Sequence, residues 1–213
     1  MTGKPRLFGA DYSVYVRIAR LALLEKGVDH ECIPVDIFSK DGVPDWYQER
    51  HPFKRIPAFE HGSLKLFETS AITRYVDEAY DGPLLQPPDA FGRAVMNQIV
   101  SLLDAYAYRA MVWGVYVERV SKPRENNTPD ERLIAASLET ARTCLSVLDR
   151  QLADKSWLIG DALTLADLYA ASMLAYFVKA PEGAALVADY PAVARWWHAV
   201  QARTSFQASE PTS

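Results

Sequence analysis

The sequence predicts an α/β domain followed by an all-α domain. Up to residue 82, short apolar runs typical of strands alternate with amphipathic helical patterns, whereas the pattern is helical almost throughout from residue 91 onward. Between them lies GPLLQPPDA at residues 82–90, whose prolines are unfavourable in helices. We therefore expect a first domain over 1–82, a linker over 83–90 and a helical domain over 91–213.

The first domain begins with a predicted strand at RLFG, residues 6–9, and a predicted helix over residues 14–25 that ends before Gly27. HECIPVDI, at residues 30–37, predicts a second strand, and IPAFEHGSLKLFE predicts two more strands joined by a turn at residues 61–63. A helix is predicted over residues 69–80. This order implies a parallel strand pair, an added hairpin, and helices that cover the sheet.

The second domain is predicted to open with one long helix over residues 91–120. TPDE at residues 128–131 and TLAD at residues 164–167 have the spacing of capping boxes, so each predicts a helix start. Pro191 is expected to open a last helix, because proline is well tolerated at the first helical position. SFQASEPTS, at residues 205–213, is expected to be a frayed tail.

Composition narrows the function classes. The chain has 213 residues, of which 49% are hydrophobic, and a formal net charge of −4. We expect no nucleic-acid partner and no membrane partner, because there is neither a basic stripe nor an apolar run of membrane-spanning length. Cys32 and Cys144 lack CxxC spacing and are expected to be reduced and buried, and the four histidines form no metal-ligand pattern. A cytoplasmic location is expected.

The motifs HPFKRIPAFEHGSLKLFETSAITRYVDE and GDALTLADL resemble those of the cytosolic glutathione S-transferase family. The resemblance covers nearly the whole chain and implies a thioredoxin-like first domain joined to a helical second domain. The serine that follows the first strand resembles the arrangement of the phi class, which bacterial members share. The sequence is therefore identified as resembling a bacterial, serine-type member of this family.

The resemblance implies glutathione as cosubstrate and assigns its binding residues. Pro57 is expected to follow a cis peptide bond, so that the backbone of Ile56 pairs with the cysteinyl part of the tripeptide. Glu68 and Thr69 open a helix, whose N-terminus favours an anion such as the γ-glutamyl carboxylate. Arg55 is expected near the glycyl carboxylate. The plain structural alternatives are an edge-strand proline, an ordinary helix cap and a solvated arginine.

One part of the chain departs from the phi pattern. The positions where that class has His and Lys for the glycyl carboxylate are here Gly42 and Val43. The residue before the Ile-Pro pair, normally Gln, is here Arg55. Arg55 or Lys40 is therefore expected to take over the recognition of the glycyl end, with Lys54 as a further cation nearby.

Ser13 is the candidate catalytic residue. A free thiol with a pKa near 8.5 is mostly protonated at neutral pH, and the thiolate is the nucleophile. A hydroxyl that donates a hydrogen bond to sulfur at a helix N-terminus stabilises the thiolate. Ser13 occupies that position by motif spacing, Tyr12 is the alternative donor, and a simple N-cap is the structural alternative for Ser13.

The second substrate is expected to be a small hydrophobic electrophile. Tyr15 in the first helical turn, together with Tyr106, Arg109 and Trp113 on the long helix, is expected to line its pocket, although an aromatic stripe is also typical of a core. The expected reaction is attack by the glutathione thiolate, with peroxide reduction as a variant and detoxification as the role. A non-catalytic binding module of the same fold is the alternative. The resemblance also implies a homodimer, and no metal is expected because the histidines and cysteines form no ligand pattern.

Overall fold

The computed structural model describes residues 3–211, and its backbone divides into two compact units. The first comprises the described parts of Met1–Leu85 and Arg203–Ser213, and the second is Gln86–Ala202. The predicted fold class is confirmed: a mixed sheet with helices comes first and a helical unit follows. The functional domain bounds 1–82 and 91–213, with the linker 83–90, remain a prediction.

The sheet of the first unit has the strand order β2-β1-β3-β4. β1 pairs in parallel with β2, and β3 runs antiparallel to both β1 and β4. These pairings confirm the predicted parallel pair with an added hairpin. The strands are β1 (Arg6–Phe8), β2 (Glu31–Ile33), β3 (Ala58–His61) and β4 (Leu64–Phe67).

β3 lies inside the sheet and every one of its residues is buried, whereas β2 lies at the sheet edge. Cys32, which was expected to be buried, is therefore exposed, so this prediction is wrong. The reason is that no described strand covers the outer side of β2. Cys144 is buried as predicted, and both cysteines are free thiols.

The described part of the first unit contains the helices α1 (Val14–Glu25), α2 (Asp45–Gln48), α3 (Thr69–Ala79) and α10 (Thr204–Ala208). Of these, α1 and α3 pack on the sheet and α10 packs on α1. α1 buries an apolar face that includes Ile18, Ala19 and Leu23, and α3 buries Ile72 and Val76. Burial of such side chains contributes about 1.5–3 kcal/mol each, so these helices are held mainly by the core.

The second unit follows the predicted helical plan with two differences. The predicted long helix is α-helical over α4 (Ala90–Leu102), π-helical over Leu103–Ser121 and α-helical again in α5 (Lys122–Arg124). The predicted capping box at residue 128 is wrong, because Asp130 is the N-cap and accepts from the backbone of Arg132 and Leu133. The remaining helices are α6 (Glu131–Leu152), α7 (Leu165–Phe177), α8 (Pro181–Ala188) and α9 (Pro191–Gln201).

α7 is buried on every side and forms the centre of the second unit. The predicted capping box from Thr164 to Asp167 is confirmed at its start. The fully buried Asp167 carboxylate also accepts hydrogen bonds from the Leu158 backbone and from the Trp196 indole, both at 2.9 Å. Because a buried carboxylate requires such donors, this residue joins three segments of the unit. Within residues 3–211, no helix combines the length and apolarity needed to cross a membrane.

Of the segment expected to be a frayed tail, residues 205–208 belong to α10, so the prediction is wrong for them, and residues 212–213 lie outside the described residues. α10 packs on α1, and the fully buried Arg17 guanidinium donates to the Ser209 hydroxyl and to the Phe206 carbonyl, both at 3.1 Å. The Glu210 carboxylate accepts from the same guanidinium at 2.6 Å. Arg17 therefore depends on Phe206, Ser209 and Glu210, because a buried charge must be paired.

A second contact ties α10 to the other end of α1. Arg203 donates to both carboxylate oxygens of Glu25 at 2.8 and 2.6 Å, and the Ser205 hydroxyl donates to the same group. Burial alone would raise the pKa of Glu25, but these hydrogen bonds outweigh it and the pKa is lowered. The lowered pKa means that the contact stabilises the fold while Glu25 is ionised.

Replacing Glu25 by Gln should lower the free energy of unfolding by about 1–3 kcal/mol at neutral pH, because hydrogen bonds to a charged group are lost. Since the folded pKa lies below the unfolded value of about 4.3, the difference between wild type and Glu25→Gln should shrink as pH falls below about 4. Chemical denaturation across pH measures it. A pH-independent difference would contradict this assignment, and Glu31→Gln, on the exposed edge strand, is the control.

Candidate active site

The strand register brings three segments of the first unit to one end of the sheet. This is the edge at which β1 and β4 finish and β3 begins, and it is distinct from the lateral edge formed by β2. Phe8, the last residue of β1, pairs with Ala58, the first residue of β3, and Ala58 pairs in turn with Phe67, the last residue of β4. Neighbouring strands lie about 4.8 Å apart. The β1–α1 turn, the Ile56–Pro57 bond and the β4–α3 turn therefore begin side by side.

Gly9 shows how closely the first two segments approach. A Cβ added to this glycine would lie 2.3 Å from Val16 Cγ2 and 3.3 Å from Ile56 Cβ. A larger residue at this position would push α1 away from the strand-opening Ile56. The glycine thus sets the spacing between the serine turn and the proline segment.

Ser13 is the N-cap of α1. Its backbone is extended, at φ −81° and ψ 125°, and its hydroxyl oxygen accepts from the Val16 backbone at 3.3 Å. The N-cap role, which is the structural alternative for Ser13, is therefore observed. Accepting this bond uses a lone pair of the oxygen and leaves the role of its O–H proton open, so capping and donation to a sulfur are compatible.

Tyr12, the alternative donor, has its hydroxyl directed at a carboxylate. It donates to Asp36 Oδ1 at 2.7 Å. Burial, the hydrogen bond to Asp36 and the negative charge of Asp36 together raise the pKa of the phenol well above its usual range. Tyr12 would have to give up this bond before it could donate its single proton to a sulfur.

The peptide bond between Ile56 and Pro57 is cis, as expected. Both residues are buried, whereas Arg55 and Lys54 are exposed. The hydroxyl of the fully buried Tyr47, in α2, donates to the Arg55 carbonyl at 2.8 Å. This hydrogen bond anchors the backbone of the segment that precedes β3, while the Lys54 and Arg55 side chains remain exposed to solvent.

Glu68 is the N-cap of α3 and has a φ of +68°, which is unusual for a non-glycine residue. Its carbonyl accepts from the Ala71 and Ile72 amides, both at 3.0 Å. Thr69 is the first helical residue and is buried. The first turn of α3 therefore directs amide N–H groups and its positive dipole end to the sheet edge described above.

His51 was not assigned a role from the sequence and lies beside these residues. Its ring is 5.0 Å from that of Phe67, the residue before Glu68. Burial lowers its pKa, the Glu68 charge acts in the opposite direction, and the Arg55 charge lowers it further. The sequence offered one signal for His51, its position as the first residue of the HPFKRIP motif. That motif supported the family resemblance but gave His51 no individual role.

The residues expected to contact the electrophile fall in different units. Tyr15 is half-buried in the first turn of α1, whereas Tyr106, Arg109 and Trp113 lie on the π-helix of the second unit. Tyr106 is 60% exposed and Trp113 is 43% exposed, so neither is a core residue. Arg109 is also exposed. Within residues 3–211, no group of three or more His, Cys, Asp or Glu side chains is placed to hold a metal ion.

Comparison with known proteins agrees with this architecture. Residues 7–84 match the family model of the glutathione S-transferase N-terminal domain, and residues 102–204 match that of the C-terminal domain. Glutathione S-transferase F11 of Arabidopsis thaliana is 32% identical, over 88% of this chain and 88% of its own length. Glutathione S-transferase 4 of Zea mays is 31% identical, over 93% and 88%.

Solved structures show the same fold. The structure of glutathione S-transferase III in apo form superposes with a TM-score of 0.86 at 33% identity, over 97% of this chain and 95% of that one. Glutathione S-transferase-I bound with lactoylglutathione gives 0.84 at 27% identity, over 98% and 99%. Two family models and relatives above 30% identity across most of the chain lead to one conclusion. The chain belongs to the glutathione S-transferase family of transferase enzymes.

Proposed function

We propose that this protein binds glutathione, stabilises its thiolate and directs it at a small hydrophobic electrophile. The thiol proton leaves, the sulfur lone pair forms a C–S bond, and a leaving group departs in substitution or a proton is taken up in addition. The observation that carries the proposal is the shared sheet edge. The turn that leads to Ser13, the segment before β3 and the N-terminus of α3 all adjoin the paired residues Phe8, Ala58 and Phe67.

Each part of this edge suits one part of glutathione. The backbone of Ile56, before Pro57, is proposed to pair with the cysteinyl residue as an added strand would. The first turn of α3 at Thr69 is proposed to bind the γ-glutamyl carboxylate, and the Glu68 carboxylate its ammonium. Arg55, exposed on the preceding segment, is proposed to bind the glycyl carboxylate.

We assign thiolate stabilisation to Ser13, which makes this a serine-type enzyme of the phi arrangement. Its oxygen caps α1, so its hydroxyl lies at the positive end of that helix, where a negative sulfur is favoured. The carboxylate partner of Tyr12 argues against the tyrosine as donor.

Ser13→Ala should leave glutathione affinity nearly unchanged but raise the pKa of the bound thiol toward its solution value. Turnover should fall by one to three orders of magnitude, about 1.4–4 kcal/mol, and recover partly at high pH. Ultraviolet thiolate absorbance and calorimetry measure the two effects separately.

The matched control is Asp89→Ala, which removes the N-cap of α4, where Asp89 accepts from the Gly92 backbone. It should cost about 1 kcal/mol of stability and leave the thiol pKa unchanged. If Ser13→Ala behaves in the same way, Ser13 is a cap alone. If wild-type protein binds glutathione but no electrophile or peroxide is turned over, the non-catalytic alternative is supported instead.

Arg55→Ala should weaken glutathione binding by about 1.5–3 kcal/mol, the value of a hydrogen bond to a charged group. Lys65→Ala is the control, because Lys65 is an exposed cation on β4 of the same unit. Calorimetric titration with glutathione compares them. Unchanged affinity in Arg55→Ala would remove this residue from the site.

We propose that Tyr106, Arg109 and Trp113, on the π-helix of the second unit, contact the electrophile, whereas a contribution from Tyr15 remains a prediction from the sequence. The support is the exposure of the aromatic pair on the π-helix, since large apolar side chains that remain exposed often mark binding surfaces. We further propose a hydrophobic substrate, since the exposed pair is aromatic, and a role in detoxification. A bacterial source and a cytoplasmic location remain predictions from the sequence.

We also propose a homodimer. Phe53 is 71% exposed, and its ring extends an aromatic group with His51 and Phe67, at centroid distances of 6.4 and 6.5 Å. A second copy of the chain is the proposed cover for this side chain.

Sedimentation at micromolar concentration should give about twice 23.9 kDa for the wild-type protein. Phe53→Ser should shift the equilibrium toward monomer, because it removes apolar area that the partner would bury. Phe38→Ser, an exposed phenylalanine in another loop, is the control. A wild-type monomer at this concentration would contradict the proposal.

A further inference from the structure

The first residues of the loop between β2 and α2 contact the Tyr12 side chain. Asp36 Oδ1 accepts from the Tyr12 phenol at 2.7 Å and from the Phe38 backbone at 2.9 Å. The Tyr12 and Phe38 rings also lie together, with centroids 5.8 Å apart. One side chain of the β1–α1 turn thus contacts both the carboxylate and the aromatic side chain that begin the loop.

The base of the same loop is tied to the same turn by backbone bonds. Gly9 donates to the Ile33 carbonyl at 2.9 Å, and Val35 donates to the Gly9 carbonyl at 3.3 Å. These bonds end at Val35, and the contacts with Tyr12 attach the loop to the turn beyond that point. The Asp36 side chain is exposed, which means that this bond is made in competition with water.

The outer part of the loop is a turn that presents a cation. Gly42 donates to the Ser39 carbonyl at 3.0 Å, and the Asp41 amide donates to the Ser39 hydroxyl at 3.3 Å. Lys40 follows Ser39 in this turn and is exposed. Its ammonium is the cation that the loop offers to an acidic ligand.

We propose that Tyr12 is a positioning residue: through Asp36 it holds loop 36–42, with Lys40, beside the turn that carries Ser13. The proposal rests on the proposed function, because the ligand of Lys40 is taken to be a carboxylate of glutathione. Tyr12 then contributes to the binding of the cosubstrate and not to the acidity of its thiol. It differs in this respect from Ser13, its neighbour in sequence.

The first arm of the test needs no ligand. Amide hydrogen exchange followed by mass spectrometry should show faster exchange across residues 36–42 in Tyr12→Phe and in Asp36→Ala than in wild-type protein. Tyr75→Phe is the control, because its hydroxyl bonds His61 elsewhere in the same unit. Equal exchange in all four proteins would overturn the proposal whether or not glutathione binds.

The second arm separates binding from chemistry. Tyr12→Phe should raise KM for glutathione about 3- to 10-fold, the effect of one hydrogen bond, and leave kcat and the bound-thiol pKa unchanged. Lys40→Ala should raise KM in the same way, and Tyr12→Phe should add little to it in the double variant. A raised thiol pKa in Tyr12→Phe would overturn the proposal, whereas a wild-type protein that binds no glutathione would instead refute the proposed function.

Discussion

The pairing of β3 with both of its neighbours is the constraint on which the candidate site depends. Because Phe8, Ala58 and Phe67 share one register position, three separate segments must leave the sheet at one point. A slip of one residue would turn each side chain to the opposite face and separate the segments. The complete burial of β3 opposes such a slip, so packing of the core also fixes the geometry of the site.

Local structure and proposed chemistry use different atoms of the same residues in this site. At Ser13 the oxygen lone pair serves the helix, and the proton is the part that a thiolate requires. At Glu68 the carbonyl begins α3, and the side chain is the part proposed to meet an ammonium. Its positive φ is a strained backbone conformation of the kind that often persists at functional sites. A cap and a ligand contact are therefore not competing explanations for these positions.

The elements could be predicted because their signals, periodicity and turn residues, are local, whereas the cis bond at Pro57 was expected from the family resemblance. The structure added contacts between residues far apart in sequence, such as Tyr12 with Asp36, which lie 24 positions apart. His51 was not assigned a role because the charges that affect its pKa, those of Glu68 and Arg55, come near it only in the folded protein. The order of α10 could not be predicted for a similar reason. Nothing local in a short polar segment indicates that a buried side chain elsewhere, here Arg17, forms hydrogen bonds with it.

The contact between Arg17 and residues 206–210 also affects when the first unit can fold during synthesis. A ribosome releases α1 early, but the Phe206 carbonyl and the Glu210 carboxylate that receive its guanidinium follow 189 and 193 residues later. Domains generally fold as units while the chain is still being synthesised. The first unit therefore cannot close around this arginine until residue 210 has been synthesised, and a nascent chain must keep the charge hydrated until then. Loss of residues 206–210 would thus affect a helix that was synthesised about 190 positions earlier.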